Sequence, residues 1–148
     1  MKKEMNNKGF SLVELIIVIA IMAVLVVILA PQYLKYVERS RNSTDIQNAT
    51  EIVTAIQTYA ADPEATVAPA DFVLKIEDTA VTPAAGFVTE ALKNAGLLDS
   101  TGKLSTTCKS KTKWTEYEIT GTVEADGNIT FTYANADFAN AMIGKTGS

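Results

Sequence analysis

The sequence predicts an α+β fold: one long N-terminal helix, transmembrane in its first half and amphipathic in its second, packed against a small antiparallel β-sheet with a short extra helix. Three observations carry this. Phe10 to Ala30 is aliphatic almost throughout and holds a single charge, Glu14. No glycine falls between Gly9 and Gly86 and no proline between Pro31 and Pro63, so nothing in that interval forces a break. Late in the chain, Trp114 to Tyr133 alternates apolar and polar side chains across Asp126-Gly127, the pattern of a β-hairpin.

As a helix, Phe10 to Ala30 is roughly 31 Å long, which matches the roughly 30 Å hydrocarbon core of a bilayer. It is apolar on every side, whereas a surface helix keeps a polar face, so it needs lipid or other helices around it. A short basic leader, residues 1–9, precedes it. An ordinary secretory signal is the competing reading, with Ile28 and Ala30 before Pro31 as a small-residue cleavage site, but the run exceeds the roughly 7 to 15 residue core of such signals. Lys2, Lys3 and Lys8 before the span are balanced by Lys35, Arg39 and Arg41 after it, so charge alone does not orient it.

The helix is expected to continue to about Ala60. Ile46, Ala49, Val53, Ile56 and Ala60 recur at spacings of three and four, widened by Ile52 and Tyr59; Asp45, Gln47, Asn48, Glu51 and Thr58 are assigned to the water face. Pro31 removes a backbone donor, leaves the Val27 carbonyl without its partner and marks a kink. Ser40 to Thr44 is a second weak point by propensity, and Asp62-Pro63 ends the helix. Residues 62–71 then read as a loop and Phe72 to Ile76 as a strand. Thr82-Pro83 has the form of a helix start, with Phe87, Val88, Ala91, Leu92 and Ala95 as the buried face of three turns and Gly96 as the stop. Leu104 to Thr107 is a candidate further strand, and Asp137 to Ile143 either a last helical turn or an edge strand. The chain so divides into a leader (1–9), an apolar transmembrane helix (10–30), its amphipathic continuation (31–61) and a globular α+β head (62–148).

Composition narrows the function. A chain of 148 residues, 47% hydrophobic, suits one domain plus an anchor. Its net charge of −4 includes the basic leader, so the remainder is more acidic still and poorly suited to binding nucleic acid. There is no histidine, and Cys108 is the single cysteine, so no intrachain disulfide can form. No Ser/His/Asp set, phosphate loop or metal cluster can be assembled; the expectation is no enzyme, no cofactor and no metal. Lys109, Lys111 and Lys113 beside Trp114 read first as a charged edge strand guarded against aggregation, and only weakly as an anion contact with Trp114 stacking. Asp62, Glu64, Asp71, Glu77 and Asp78 follow no calcium-loop pattern and read as solvated charge.

Glu14 is the residue that asks for an explanation, because an ionisable group inside a membrane segment costs on the order of 3 kcal/mol. Lys8, Gly9, Phe10 and Glu14, together with the aliphatic run and Pro31, closely resemble the type IV pilin and type II secretion pseudopilin family. Its precursors carry a short basic leader, Gly followed by Phe, and Glu four residues after that Phe. The resemblance covers about Met1 to Ala60. It implies cleavage between Gly9 and Phe10 and N-methylation of Phe10 by a prepilin peptidase/methylase, with the leader inside and the rest outside the inner (cytoplasmic) membrane. It further implies an assembly ATPase and a platform membrane protein as partners, and polymerisation with other copies into an extracellular filament on the bacterial surface. In that filament Glu14 of one subunit pairs with the Phe10 ammonium of the next, and the helix before Pro31 can loosen. Two family features are missing: the C-terminal cystine pair and an early glycine in the span. The expected function is a major pilin; a pseudopilin, a minor pilin and a membrane-tethered binding module that never polymerises are the alternatives.

Overall fold

Ser11 starts the long helix: its Oγ accepts from Glu14 N at 3.2 Å while its own N donates to Glu14 Oε2 at 2.9 Å, so two backbone donors that an open helix end would leave unpaired are satisfied reciprocally. The computed structural model describes residues 9–84 and 86–146. In order the elements are α1 (Leu12–Ala60), β1 (Asp71–Ile76), α2 (Phe87–Asn94), β2 (Tyr117–Val123), β3 (Ile129–Tyr133) and α3 (Ala136–Thr146). This is the expected α+β architecture, with a long apolar N-terminal helix, a three-stranded antiparallel sheet and short further helices. One compact unit ends at Val37 and a second begins at Glu38, and α1 contributes to both.

In the first unit α1 is long and apolar enough to cross a membrane, and its aliphatic side chains are exposed. The helical run passes through Pro31 without interruption. In the second unit α1 turns one stripe inward: Ile46, Ala49, Ile52 and Ile56 are buried, with Val53 and Tyr59 partly so. Fully burying such a side chain stabilises the fold by roughly 1.5–3 kcal/mol. The Ser40 to Thr44 stretch stays helical, and Thr44 Oγ1 donates back to Ser40 O at 3.0 Å. Thr50, Thr54 and Thr58 do the same one turn back at 2.7 Å, each occupying its own hydroxyl.

The sheet order is β1-β2-β3. Leu74 opposes Ile119 and Ile76 opposes Tyr117, so these four share one face, and all are buried; Val73, Thr120 and Thr132 share the other. At Gly121 the inner face has no side chain, and Phe72, its partner in register, lays its ring across the space. That ring packs edge-on against Phe87 at 5.5 Å and Phe131 at 6.2 Å. A Cβ at position 121 would run into the Phe72 ring. Gly121→Val is therefore expected to lower stability by about 1–3 kcal/mol through forced repacking. Denaturant unfolding of the detergent-solubilised chain, followed by the fluorescence of its single tryptophan, checks this.

Three expectations are corrected here. The helix foreseen at Thr82-Pro83 begins instead at Phe87, because Gly86 has φ 144, a backbone no helix contains and few residues but glycine adopt. It ends as foreseen: Leu97 N donates to Leu92 O and Gly96 N to Lys93 O, with Gly96 at φ 72. Leu104 to Thr107 forms no strand, only an isolated bridge from Leu104 to Leu98. The tail is a full helix rather than a turn or an edge strand. Asn135 caps it by accepting from Phe138 N at 3.1 Å, and Phe138 and Met142, four residues apart, drive it into the core. Phe138 stacks on Tyr117 at 4.3 Å and meets Trp114 and Tyr133 edge-on.

Candidate functional site

At the N-terminal end, Gly9 and Phe10 precede the helix, and Phe10 is 93% exposed. Among the described residues, nothing lies within 4 Å of where a Cβ on Gly9 would stand. Glu14 sits in the first turn of α1, exposed, with one oxygen on Ser11 N. On either side of it the helix exposes its large apolar side chains, from Leu12 at 74% to Leu34 at 64%. Pro31 lies within this stretch, also exposed. Lys8 and the rest of the leader fall outside the described residues.

A second constellation, in the second unit, was not foreseen. Asp45, assigned to the water face by periodicity, is fully buried. Its Oδ1 accepts from Lys109 N at 2.7 Å, and its Oδ2 from Ser110 N at 2.8 Å, Trp114 Nε1 at 2.9 Å and Cys108 Sγ at 3.5 Å. Two turns earlier on the same face, Glu38 Oε1 accepts from Ser110 Oγ at 2.7 Å, Lys111 N at 2.8 Å and Thr112 N at 2.9 Å. Two helix carboxylates thus clasp a loop, residues 108–114, that has no regular structure of its own to satisfy its backbone. The lysines expected on an edge strand are on this loop, outside any strand, and point to solvent. Trp114 is buried and donates to Asp45, so it is not available for stacking on a ligand.

The electrostatics follow from this geometry. Partial burial pushes the Glu38 carboxyl up, but the hydrogen bonds from Ser110, Lys111 and Thr112 outweigh it and hold the group at about 2, against an ordinary 4.5. Burial, then the Asp45 charge, push the Cys108 thiol up to about 12 and raise the Tyr117 hydroxyl as well. A buried thiol raised in this way is expected to be a poor nucleophile. Because the folded Glu38 binds its proton less readily than the unfolded chain, its contribution to stability is full above about pH 4.5 and is lost as pH falls toward 2. Protection of the Lys111 and Thr112 amides against exchange, taken relative to their intrinsic rates at each pH, is expected to fall across that window, and Glu38→Gln to remove the acid-dependent part of the change. Equal pH dependence in both proteins would show that Glu38 does not hold the loop.

The family described as the prokaryotic N-terminal methylation motif matches residues 5–30. Two type IV major fimbrial proteins FimA of Dichelobacter nodosus are 43% and 44% identical to the chain over 56 residues. These matches cover 38% of this chain and 36% of each relative, so the chain aligns with little more than a third of the curated proteins it resembles. Together these matches make the chain similar to type IV pilins. No solved structure matches. Within the matched residues, Gly9, Phe10 and Glu14 stand together at the exposed start of α1, with Pro31 farther along the same helix.

Ser11 within the matched residues, and Glu38 and Asp45 beyond them, are the residues that sequence reasoning missed. Ser11 was visible as Ser-Leu-Val-Glu, the capping-box spacing. Glu38 and Asp45 carried only a seven-residue spacing, which charged residues on any helix show by chance. Among the described residues, no three His, Cys, Asp or Glu side chains gather to hold a metal ion.

Proposed function

We propose that this chain is the structural subunit, a major pilin, of a type IV pilus. The observation that carries the reading is an exposed apolar face along the first unit of α1, starting directly after the matched Gly9-Phe10 junction. Such a face is stable only in lipid or among other helices, and the two surroundings correspond to the precursor and the assembled state. Cleavage after Gly9 by a prepilin peptidase gives Phe10 a free amine, which the same enzyme methylates. Glu14 of one subunit then pairs with the Phe10 ammonium of the next; away from water, opposite charges attract strongly and an unpaired one is costly, so the pairing sets the axial stagger. The relatives' description as major fimbrial proteins favours the major pilin over a pseudopilin or minor pilin. The role is structural rather than catalytic. The precursor resides in the cytoplasmic membrane, an assembly ATPase and a platform membrane protein extract it, and the product is a filament outside the cell.

The test is the intact mass and N-terminal sequence of protein sheared from the surface of producing cells. A chain beginning at methylated Phe10 is the expected result. One beginning at Pro31, or an uncut chain confined to the membrane, overturns the reading in favour of a secreted or tethered domain.

A further inference from the structure

Charge in the second unit is divided along α1. At the end where α1 stops, Ala60 and Ala61 line a groove of about 250 Å³ with Gly127 and Asn128 of the β2–β3 turn and Ile129 at the start of β3. Val123 N donates to Ala70 O, and Asp71 pairs with Thr122, which brings the start of β1 to the same end. Asp62, Glu64, Asp71, Glu124 and Asp126 all stand there, exposed, and neither 57–71 nor 123–129 contains a lysine or arginine.

The clasped loop marks the other end. Asp45 lies sixteen residues before Ala61, about 24 Å along the helix. Because the loop's backbone N–H groups are turned onto Glu38 and Asp45, its side chains Lys109, Lys111 and Lys113 are presented outward. The acids nearby are already engaged. Glu38 and Asp45 face the loop backbone, Glu77 and Glu116 both meet Lys75 at 3.1 and 2.9 Å, and Asp78 meets Lys111 at 3.5 Å. Among the described residues Lys109 and Lys113 make no ion pair, and Lys109 Nζ donates to Thr107 Oγ1.

We infer that the lysine loop of one copy seats against the acidic end, around the groove beside the β2–β3 turn, of an axially neighbouring copy. This rests on the pilus reading, and the partner is a second copy of this chain. In a filament of parallel subunits, the acidic end of each copy points toward the loop end of the next. Two complementary patches at opposite ends make a heterologous contact, the kind that propagates into an open filament rather than closing into a dimer. Without its basic leader the chain is more acidic than its whole-sequence net charge of −4, so some such contact is also needed to offset repulsion between copies.

Charge reversal in full-length protein tests it. One variant carries Lys109→Glu, Lys111→Glu and Lys113→Glu, a second carries Asp62→Lys, Glu64→Lys and Asp126→Lys, and a third combines both sets. All six side chains are exposed, and tryptophan-monitored unfolding of each variant verifies that the fold is kept. Each single set is expected to lower the yield of sheared filaments by roughly tenfold or more, with membrane levels of precursor unchanged, and the combined set to restore most of it. Wild-type yield from either single set, or no recovery in the combined one, overturns the inference. A lysine set that lowers the yield while the acidic set leaves it at the wild-type level, with no recovery in the combined variant, assigns the loop to another partner and also overturns it. Absence of filaments from the unsubstituted chain is a separate result and counts against the pilus reading itself.

Discussion

Asp45→Ala is expected to lower the stability of the second unit by about 3 kcal/mol or more. Four donors converge on this carboxylate, and removing it leaves Lys109 N, Ser110 N and Trp114 Nε1 without an acceptor in a buried place. Each such orphaned group costs roughly 1–3 kcal/mol, and the loss is compounded because Glu38 cannot hold the loop without Ser110 in position. Asp45→Asn keeps the shape and one acceptor oxygen but turns an NH₂ donor toward other donors, so an intermediate loss is expected. Unfolding in denaturant, followed by tryptophan fluorescence, gives the magnitudes.

A second readout separates loop release from general weakening. Cys108 is buried, with its thiol pushed up to about 12, and is expected to resist alkylation in the native protein. In Asp45→Ala under native conditions it is expected to react much faster, whereas Gly121→Val, which disturbs the opposite end of the sheet, leaves it protected. An Asp45→Ala protein that unfolds like the parent and keeps Cys108 protected would show that the clasp does not bind the loop. The physical reason for such a device lies in the cysteine count. A chain with one cysteine cannot close its long connection to α1 with a disulfide, so two carboxylates bridge positions 63 to 74 residues apart instead.

What the sequence disclosed and what it hid follow from how each feature is encoded. Periodicity located the second half of α1 and the hairpin, because burial on one face imprints a repeat of 3.6 or 2 on the residues themselves. Gly96 was readable as a helix stop for a similarly local reason. The start of α2 was not: Thr82-Pro83 is a good capping pair, and only the conformation of Gly86 excludes it. Asp45 was misplaced because a carboxylate beside a buried isoleucine looks like the polar edge of the stripe. Its burial depends on donors more than sixty residues away, and no local pattern announces them. The N-terminal residues were legible since a processing motif is written in contiguous sequence, and the N-terminal methylation motif matches that same segment.

Glu14 offers the sharpest remaining discrimination, because the structure gives it a role that does not involve a neighbour. Its carboxylate accepts from Ser11 N and completes a capping box, a local reason for an acidic residue in the first turn of an apolar helix. Capping and intersubunit pairing make different demands. Capping needs an acceptor oxygen on a side chain of this length, which glutamine supplies as well. Pairing with the Phe10 ammonium needs the negative charge, without which the ammonium is left uncompensated among aliphatic side chains. On the proposed reading Glu14→Gln abolishes filaments on the cell surface although the precursor is inserted and cut normally, while Ser11→Ala, which breaks the cap and keeps the charge, still assembles. The loss in Glu14→Gln is expected to exceed roughly a hundredfold in sheared protein, equivalent to about 3 kcal/mol per contact. Normal assembly of Glu14→Gln together with failure of Ser11→Ala would assign Glu14 to capping alone and leave the stagger between subunits to be set by packing of the aliphatic face.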